Sequence, residues 1–204
     1  MLVGLVAVGL LASATTVVAA ASFETVVAAA RFECSRNDTV KNEGCCSSCY
    51  FDTVGVPTIG VGFNLQRSDA RSTITAYGYN FDNILRACHG GGLQCTRCQA
   101  VAPPNGISLK TALSIFDRTA YAEATSCVSG WFTTGWRPPP IVTAALVDMA
   151  FNMGCAGVKK FKMMKAAIDR QAYPEAARQA RASRWCAQVG SRCDRDARCI
   201  GSGQ

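Results

Sequence analysis

The chain holds a single histidine, His89, among its 204 residues. That scarcity argues against a Ser-His or Cys-His nucleophile, because such mechanisms need an imidazole beside the attacking atom. His89 itself lies before Gly90-Gly91-Gly92 and reads as a surface loop residue. Runs of Lys and Arg are also missing, as is any basic patch interleaved with aromatics, so the electrostatic footprint of a nucleic-acid binder is absent. The glycines lack the strand-turn-helix setting that a phosphate cradle requires. Past residue 21 no apolar stretch is long enough to cross a bilayer. No charged side chain occurs before Glu24.

What is present points outward from the cell. Met1 to Ala21 is apolar, and Ala19-Ala20-Ala21-Ser22 offers small-residue cleavage options. This reads as a secretory signal peptide over 1–21, although no Lys or Arg precedes the apolar core; a retained membrane anchor is the alternative. Twelve cysteines, an even and high number, read behind such a signal as a disulfide framework of up to six bridges with unspecified connectivity. The rival is zinc, since Cys46-x-x-Cys49, Cys95-x-x-Cys98 and Cys88-His89 resemble ligand pairs. An oxidising compartment disfavours it, and no metal is expected. Asn37-Asp38-Thr39 is a glycosylation sequon only if the chain passes through a eukaryotic secretory route. The formal charge of +7, from 21 Lys and Arg against 14 Asp and Glu, suits an anionic partner such as a bacterial wall.

With 49% hydrophobic residues, 22–204 can bury a core as one domain or two small lobes. Ser22 to Glu43 is expected to be mostly helical, with Gly44 as its C-terminal cap. Val54-Gly55-Val56-Pro57 reads as a turn between strands, and Thr58 to Phe63 as a strand whose glycines mark a close approach. A helix is expected around Phe81 to Ala87, then a stapled loop from His89 to Gly106, then a helix from a Ser108 cap to about Ser126. Ile141 to Met153 reads as a buried core helix stopped by Gly154. Lys159 to Arg170 reads as an amphipathic helix, and Pro174 opens another through Ser183. The tail from Trp185 is expected to be pinned by bridges rather than by a large core.

Two acids stand out beside the hairpin. Glu43 closes a helix, and Asp52 sits on the hairpin with the hydroxyl of Thr58 following. Two carboxylates on different elements are what glycosidic cleavage needs: one protonated to donate to the leaving oxygen, one ionised to hold water or bond the sugar. Their separation, roughly 6.5–9.5 Å for inversion and about 5–5.5 Å for retention, is not legible from sequence.

Glu43, eight residues, Asp52, five residues, then Thr58 within Thr-Ile-Gly-Val-Gly resembles the phage-type lysozymes, glycoside hydrolase family 24, with Tyr50, Gly60 and Gly62 in register. The resemblance resumes at Ala145-Leu146-Val147-Asp148-Met149-Ala150-Phe151-Asn152-Met153-Gly154, and continues through Gly157-Val158, Phe161, Ala176-Ala177, Ser183-Arg184-Trp185, Gln188 and Arg192. It covers Arg36 to Leu65 and Ala144 to Arg192; Gln66 to Gly130 is much looser. It implies an α+β lysozyme-like fold, with a small hairpin-containing lobe, a larger mostly helical lobe and a cleft between them. It implies Glu43 as general acid, Asp52 and Thr58 as holders of the attacking water, and inversion at the sugar carbon. Asn64, Phe151 and Asn152 would line the substrate groove, with Tyr50 and Arg192 supporting and Arg192 paired to Glu43. Phe63 stands where the family commonly has histidine, and Asn64 where it is usually apolar. The dense cysteines depart from the phage members and suggest an extracellular version.

The expectation is therefore a secreted lysozyme, extracellular or in a digestive compartment, cutting the β-1,4 bond between N-acetylmuramic acid and N-acetylglucosamine of bacterial peptidoglycan. It would act as a monomer with no cofactor, no nucleic acid and no stable membrane insertion once the signal is removed. A chitin-cleaving relative and a non-catalytic, basic, wall-binding antimicrobial protein are the competing readings.

Overall fold

The computed structural model describes residues 34–90, 97–133 and 135–204. The expected signal peptide, the part of the first helix before Cys34, and Cys95 lie outside these residues. The fold is α+β, a small antiparallel sheet joined to a larger helical body.

The first helix, α1 (Arg36–Glu43), starts where the Ser35 backbone N–H donates to Asp38 Oδ2 at 3.0 Å, satisfying a donor at its N-terminus. It ends because Gly44 takes φ +72° and returns its N–H to Val40 O at 3.0 Å. Glu43 is therefore the last helical residue, as expected. Next come β1 (Cys46–Phe51), β2 (Pro57–Gly60) and β3 (Phe63–Asn64), antiparallel in that order. The expected single strand from Thr58 to Phe63 is two strands. Gly60 at φ +65° and Gly62 at φ +67° turn the chain there, which L side chains adopt only under strain. Gly60 also marks the anticipated close approach: a Cβ there would stand 3.3 Å from both Ala112 Cβ and Ile107 Cδ1.

The sheet packs on α2 (Ala70–Ala76), α3 (Phe81–Arg86) and α4 (Leu109–Arg118) around Ile59, Phe63, Leu65, Ile74, Ile84 and Ile115. Each of these stabilises by about 1.5–3 kcal/mol through burial. Bridges Cys45–Cys98 and Cys49–Cys88 fasten β1 and the residue before it to the loop and helix beyond. Cys46 is disulfide-bonded too, so the first zinc-like pair and Cys98 are occupied by sulfur–sulfur bonds.

Ser108 caps α4 by accepting from the Thr111 N–H at 3.2 Å. The helix expected to run on to Ser126 breaks at Thr119, where φ is −118° and ψ −103°. The Thr119 hydroxyl donates back to Ile115 O at 2.7 Å, a bond that competes with helix propagation. A new helix, α5 (Ala120–Trp131), then starts in another direction.

The larger core surrounds α6 (Pro140–Val158), whose Val142, Leu146 and Met149 are fully enclosed. Gly154 interrupts it at φ +75° and ψ 163°, the stop that the sequence implied, and one further turn follows. Around it lie α7 (Lys162–Asp169), α8 (Tyr173–Arg181), α9 (Arg184–Val189) and α10 (Ser191–Ser202). The helix expected from Lys159 starts only at Lys162. The tail is more than a bridged strap: Ala197 and Ile200 of α10 are fully buried in the same core as Leu146. With Cys193, four residues before Ala197, they present one apolar face. Bridges Cys186–Cys193, Cys127–Cys155 and Cys34–Cys199 close this body. The last spans 165 residues, a loop whose closure stabilises by about 5 kcal/mol in the chain-entropy account.

Candidate active site

Glu43 leaves the end of α1 where the two lobes meet. Its Oε1 accepts from Arg192 Nη1 at 2.6 Å. Arg192, on α10, also donates from Nε to Asp148 Oδ2 at 2.7 Å and from Nη2 to Asp148 Oδ1 at 3.1 Å. The Asp148 side chain is 7% exposed, that of Arg192 11% and that of Glu43 25%. The two ends of the triad therefore differ: Asp148 is sealed in, and Glu43 opens to solvent. Burial works against the charge of Arg192, but the hydrogen bonds and charges of Asp148 and then Glu43 outweigh it and hold its pKa above the ordinary value.

Glu43 is on the wall of a groove of about 340 Å³. Gly62 lines it from the sheet side, and Ala120, Glu123, Ala124, Ala150 and Phe151 line it from the helices. Cys127 and Cys155 belong to the same wall, so a disulfide joins α5 to the turn after Gly154 along the groove. Phe151 packs its ring 5.3 Å from that of Phe116.

Asp52 holds the hairpin turn. Its Oδ1 accepts from the N–H groups of Val54 at 2.9 Å and Val56 at 2.8 Å, while Gly55 takes φ +82°. Thr58 is buried and donates its hydroxyl to Val56 O at 3.1 Å. Tyr50 is paired with Thr58 across β1 and β2, and Thr58 with Asn64 across β2 and β3. Residues opposite one another share a sheet face, so Tyr50, Thr58 and Asn64 form one row. Asn64 Oδ1 accepts from the Gln66 N–H at 2.7 Å. The Tyr50 phenol has its pKa raised, first by burial and then by the charges of Asp52 and Glu43, so both acids act on this one ring.

These placements divide the sequence-derived set. Glu43 and Phe151 line the groove, Arg192 braces Glu43, and Tyr50 lies within electrostatic reach of both acids. Asp52, Thr58 and Asn64 stand on the sheet and its turn and are not among the residues that line this groove. Asn152 Oδ1 accepts from Trp185 Nε1 at 2.7 Å, and Trp185 borders a separate hollow with Met153, Phe161 and Gln188.

Asp148 carries a role that sequence reasoning left unassigned. A signal existed: it is the one charged residue in the apolar run Ile141 to Met153, and a charge in a buried helix demands a partner.

The family model for phage lysozyme matches residues 40–195. The chain is also 26% identical over 162 residues to the pre-baseplate central spike protein Gp5 of Enterobacteria phage T4. That alignment takes in 76% of this chain and 25% of the phage protein, so the chain spans about a quarter of that relative's length.

Proposed function

The chain belongs to the phage lysozyme family, and from that premise we propose that it hydrolyses the β-1,4 bond between N-acetylmuramic acid and N-acetylglucosamine in bacterial peptidoglycan. Membership supports peptidoglycan-cleaving lysozyme activity in general. The observation that carries it is a carboxyl, Glu43, at a groove wall and held in one orientation by a buried guanidinium.

In this reading Glu43 protonates the leaving glycosidic oxygen while water attacks the opposite face of the sugar. Asp52 holds that water with its second oxygen, since both turn bonds fall on Oδ1. The Thr58 hydroxyl is the third contact, and the product has inverted configuration. Asn64, Phe151 and Asn152 bear on the sugar chain, with Phe151 offering an aromatic face. The bridged cysteines fit work in an oxidising compartment, outside the cell or in a digestive space. The protein acts there as a monomer and without a cofactor, in defence against bacteria or in their digestion.

Reducing-sugar release from purified peptidoglycan and from chitin, by wild type and Glu43→Gln, tests this. Wild type is expected to cut peptidoglycan and release the α-anomer first by NMR, and Glu43→Gln, folded, to cut neither polymer. Substantial turnover by the folded Glu43→Gln variant overturns the assignment. Preference for chitin would make the chain a chitin-cleaving relative, and undiminished killing of bacteria by Glu43→Gln would make it a wall-binding antimicrobial protein.

A further inference from the structure

Behind the Glu43–Arg192–Asp148 chain lies a fourth ionisable group, Asp196. At 2% exposure it is the most deeply enclosed acid among the described residues. It follows Arg192 by four residues on α10, so the two share a helical face, and its carboxyl meets that of Asp148 on α6. As a carboxylate it would be doubly misplaced: its Oδ2 has no hydrogen-bond partner, and Asp148 is a like charge. Two carboxylates cannot bond each other, but a carboxylic acid can donate to a carboxylate. One proton on Asp196 removes both faults.

Two nearby cations, Arg195 and Arg192, oppose the proton on Asp196 but are outweighed by burial and the Asp148 charge. Arg195, next in the chain, has its own Nη2 buried without a partner. Arg192 is committed to Asp148 and Glu43. From α8, Arg181 lies 4.0 Å from Asp194, on the neighbouring turn. Burial first and the Asp148 charge second push the Asp196 pKa up to about 9, with Arg195 and Arg192 opposing.

We propose that Asp196, carrying its proton at neutral pH, is a positioning residue for Glu43: it donates to Asp148, fixes that carboxylate against Arg192, and through Arg192 sets the direction of Glu43 at the groove. The consequence for catalysis rests on the reading of Glu43 as the proton donor; the protonation and the bracing do not.

The test uses wild type, Asp196→Asn, which keeps a donor, and Asp196→Leu, which does not. Carboxyl ¹³C NMR is expected to show Asp196 protonated at pH 7 in the wild type. The Arg192 Nε–H is expected to exchange slowly with solvent in wild type and Asp196→Asn, and about tenfold faster in Asp196→Leu. On peptidoglycan, kcat should fall about tenfold in Asp196→Leu with KM nearly unchanged, and recover in Asp196→Asn, because a loosened acid loses alignment rather than affinity. Hydroxide quickens Arg192 exchange in every variant as pH rises, so past the Asp196 midpoint wild type should show an extra acceleration over Asp196→Asn, which keeps the test decisive even if Asp196→Leu does not fold. An ionised Asp196 at pH 7, or identical pH dependence of Arg192 exchange in wild type and Asp196→Asn, overturns the proposal. A wild type that shows the protonated Asp196 but leaves peptidoglycan intact would sink the hydrolase reading alone.

Discussion

Arg192 Nη1 and Glu43 Oε1 meet at 2.6 Å across 149 residues of sequence. One bond thus ties the end of the first described helix to the last, and it does so at the groove. The bond has direction because the other side of the guanidinium is taken: Asp148 occupies both Nε and Nη2. A planar fork gripped on one edge cannot swivel on the other.

Asp148→Ala is therefore expected to disturb more than a surface charge change would. It leaves Arg192 enclosed, with Glu43 as its remaining carboxylate. Removing one partner of a buried pair costs about 3 kcal/mol or more, because the other charge stays out of water. Urea unfolding should show this loss with an unchanged slope. A cost below about 1 kcal/mol, the range of exposed pairs, would mean that the cluster is solvated in practice.

Asp52 allows structure and chemistry to be separated. Its Oδ1 anchors two backbone N–H groups of the turn. Asparagine keeps that acceptor and alanine does not. Asp52→Asn is expected to hold its melting temperature while losing at least about a hundredfold in kcat, the scale of general acid–base and water-orienting contributions. Asp52→Ala should lose the activity and about 1 kcal/mol of stability as well. Equal activity in wild type and Asp52→Asn would remove the ionised carboxylate from the mechanism.

Much of this arrangement was legible in the residues. Gly44 after Glu43 implied a helix end, and Val54-Gly55-Val56-Pro57 implied a turn, because positive φ and a fixed proline φ leave few alternatives. The apolar run ending at Gly154 implied the central helix for the same kind of local reason. What escaped depended on distant partners. Nothing near Thr119 marks the break between α4 and α5, since threonine is tolerated inside helices, as Thr125 is inside α5 with the same kind of back-bond. The split of the second strand turned on two glycines whose role in a strand is ambiguous from spacing alone. The α10 helix was obscured by charges at Arg192, Asp194, Arg195, Asp196 and Arg198, three of which, Arg192, Arg195 and Asp196, reach inward.

The two turn glycines should respond differently to alanine. Both sit at positive φ, which costs a side-chain-bearing residue about 1–2 kcal/mol. At Gly60 the added Cβ also presses on Ala112 and Ile107 at 3.3 Å, so Gly60→Ala should be the more destabilising variant. At Gly62 a Cβ meets nothing within 4 Å but lies on the groove wall. Gly62→Ala is expected to fold, with a raised KM for peptidoglycan. Paired thermal melts and kinetics decide it, and a Gly62→Ala stability loss equal to that of Gly60→Ala would count against the packing argument.

Asp196 gives stability a pH dependence of definite sign. In the unfolded chain its carboxyl titrates near the ordinary value of 3.8, whereas in the folded protein it holds its proton up to about 9. Between those values the folded state binds one proton more than the unfolded state, so stability falls as pH rises. The contribution is complete below about pH 3.8, is lost progressively through the neutral range and levels off above about pH 9. Asparagine cannot titrate. The difference in unfolding free energy between Asp196→Asn and wild type should therefore shift steadily in the variant's favour from pH 4 to pH 9, while carboxylates remote from the cluster cancel in the comparison. Urea midpoints at pH 4, 6.5 and 9 measure it. A difference that stays constant across that range would mean that Asp196 is ionised in the fold, and the neutral acid behind Asp148 would have to be given up.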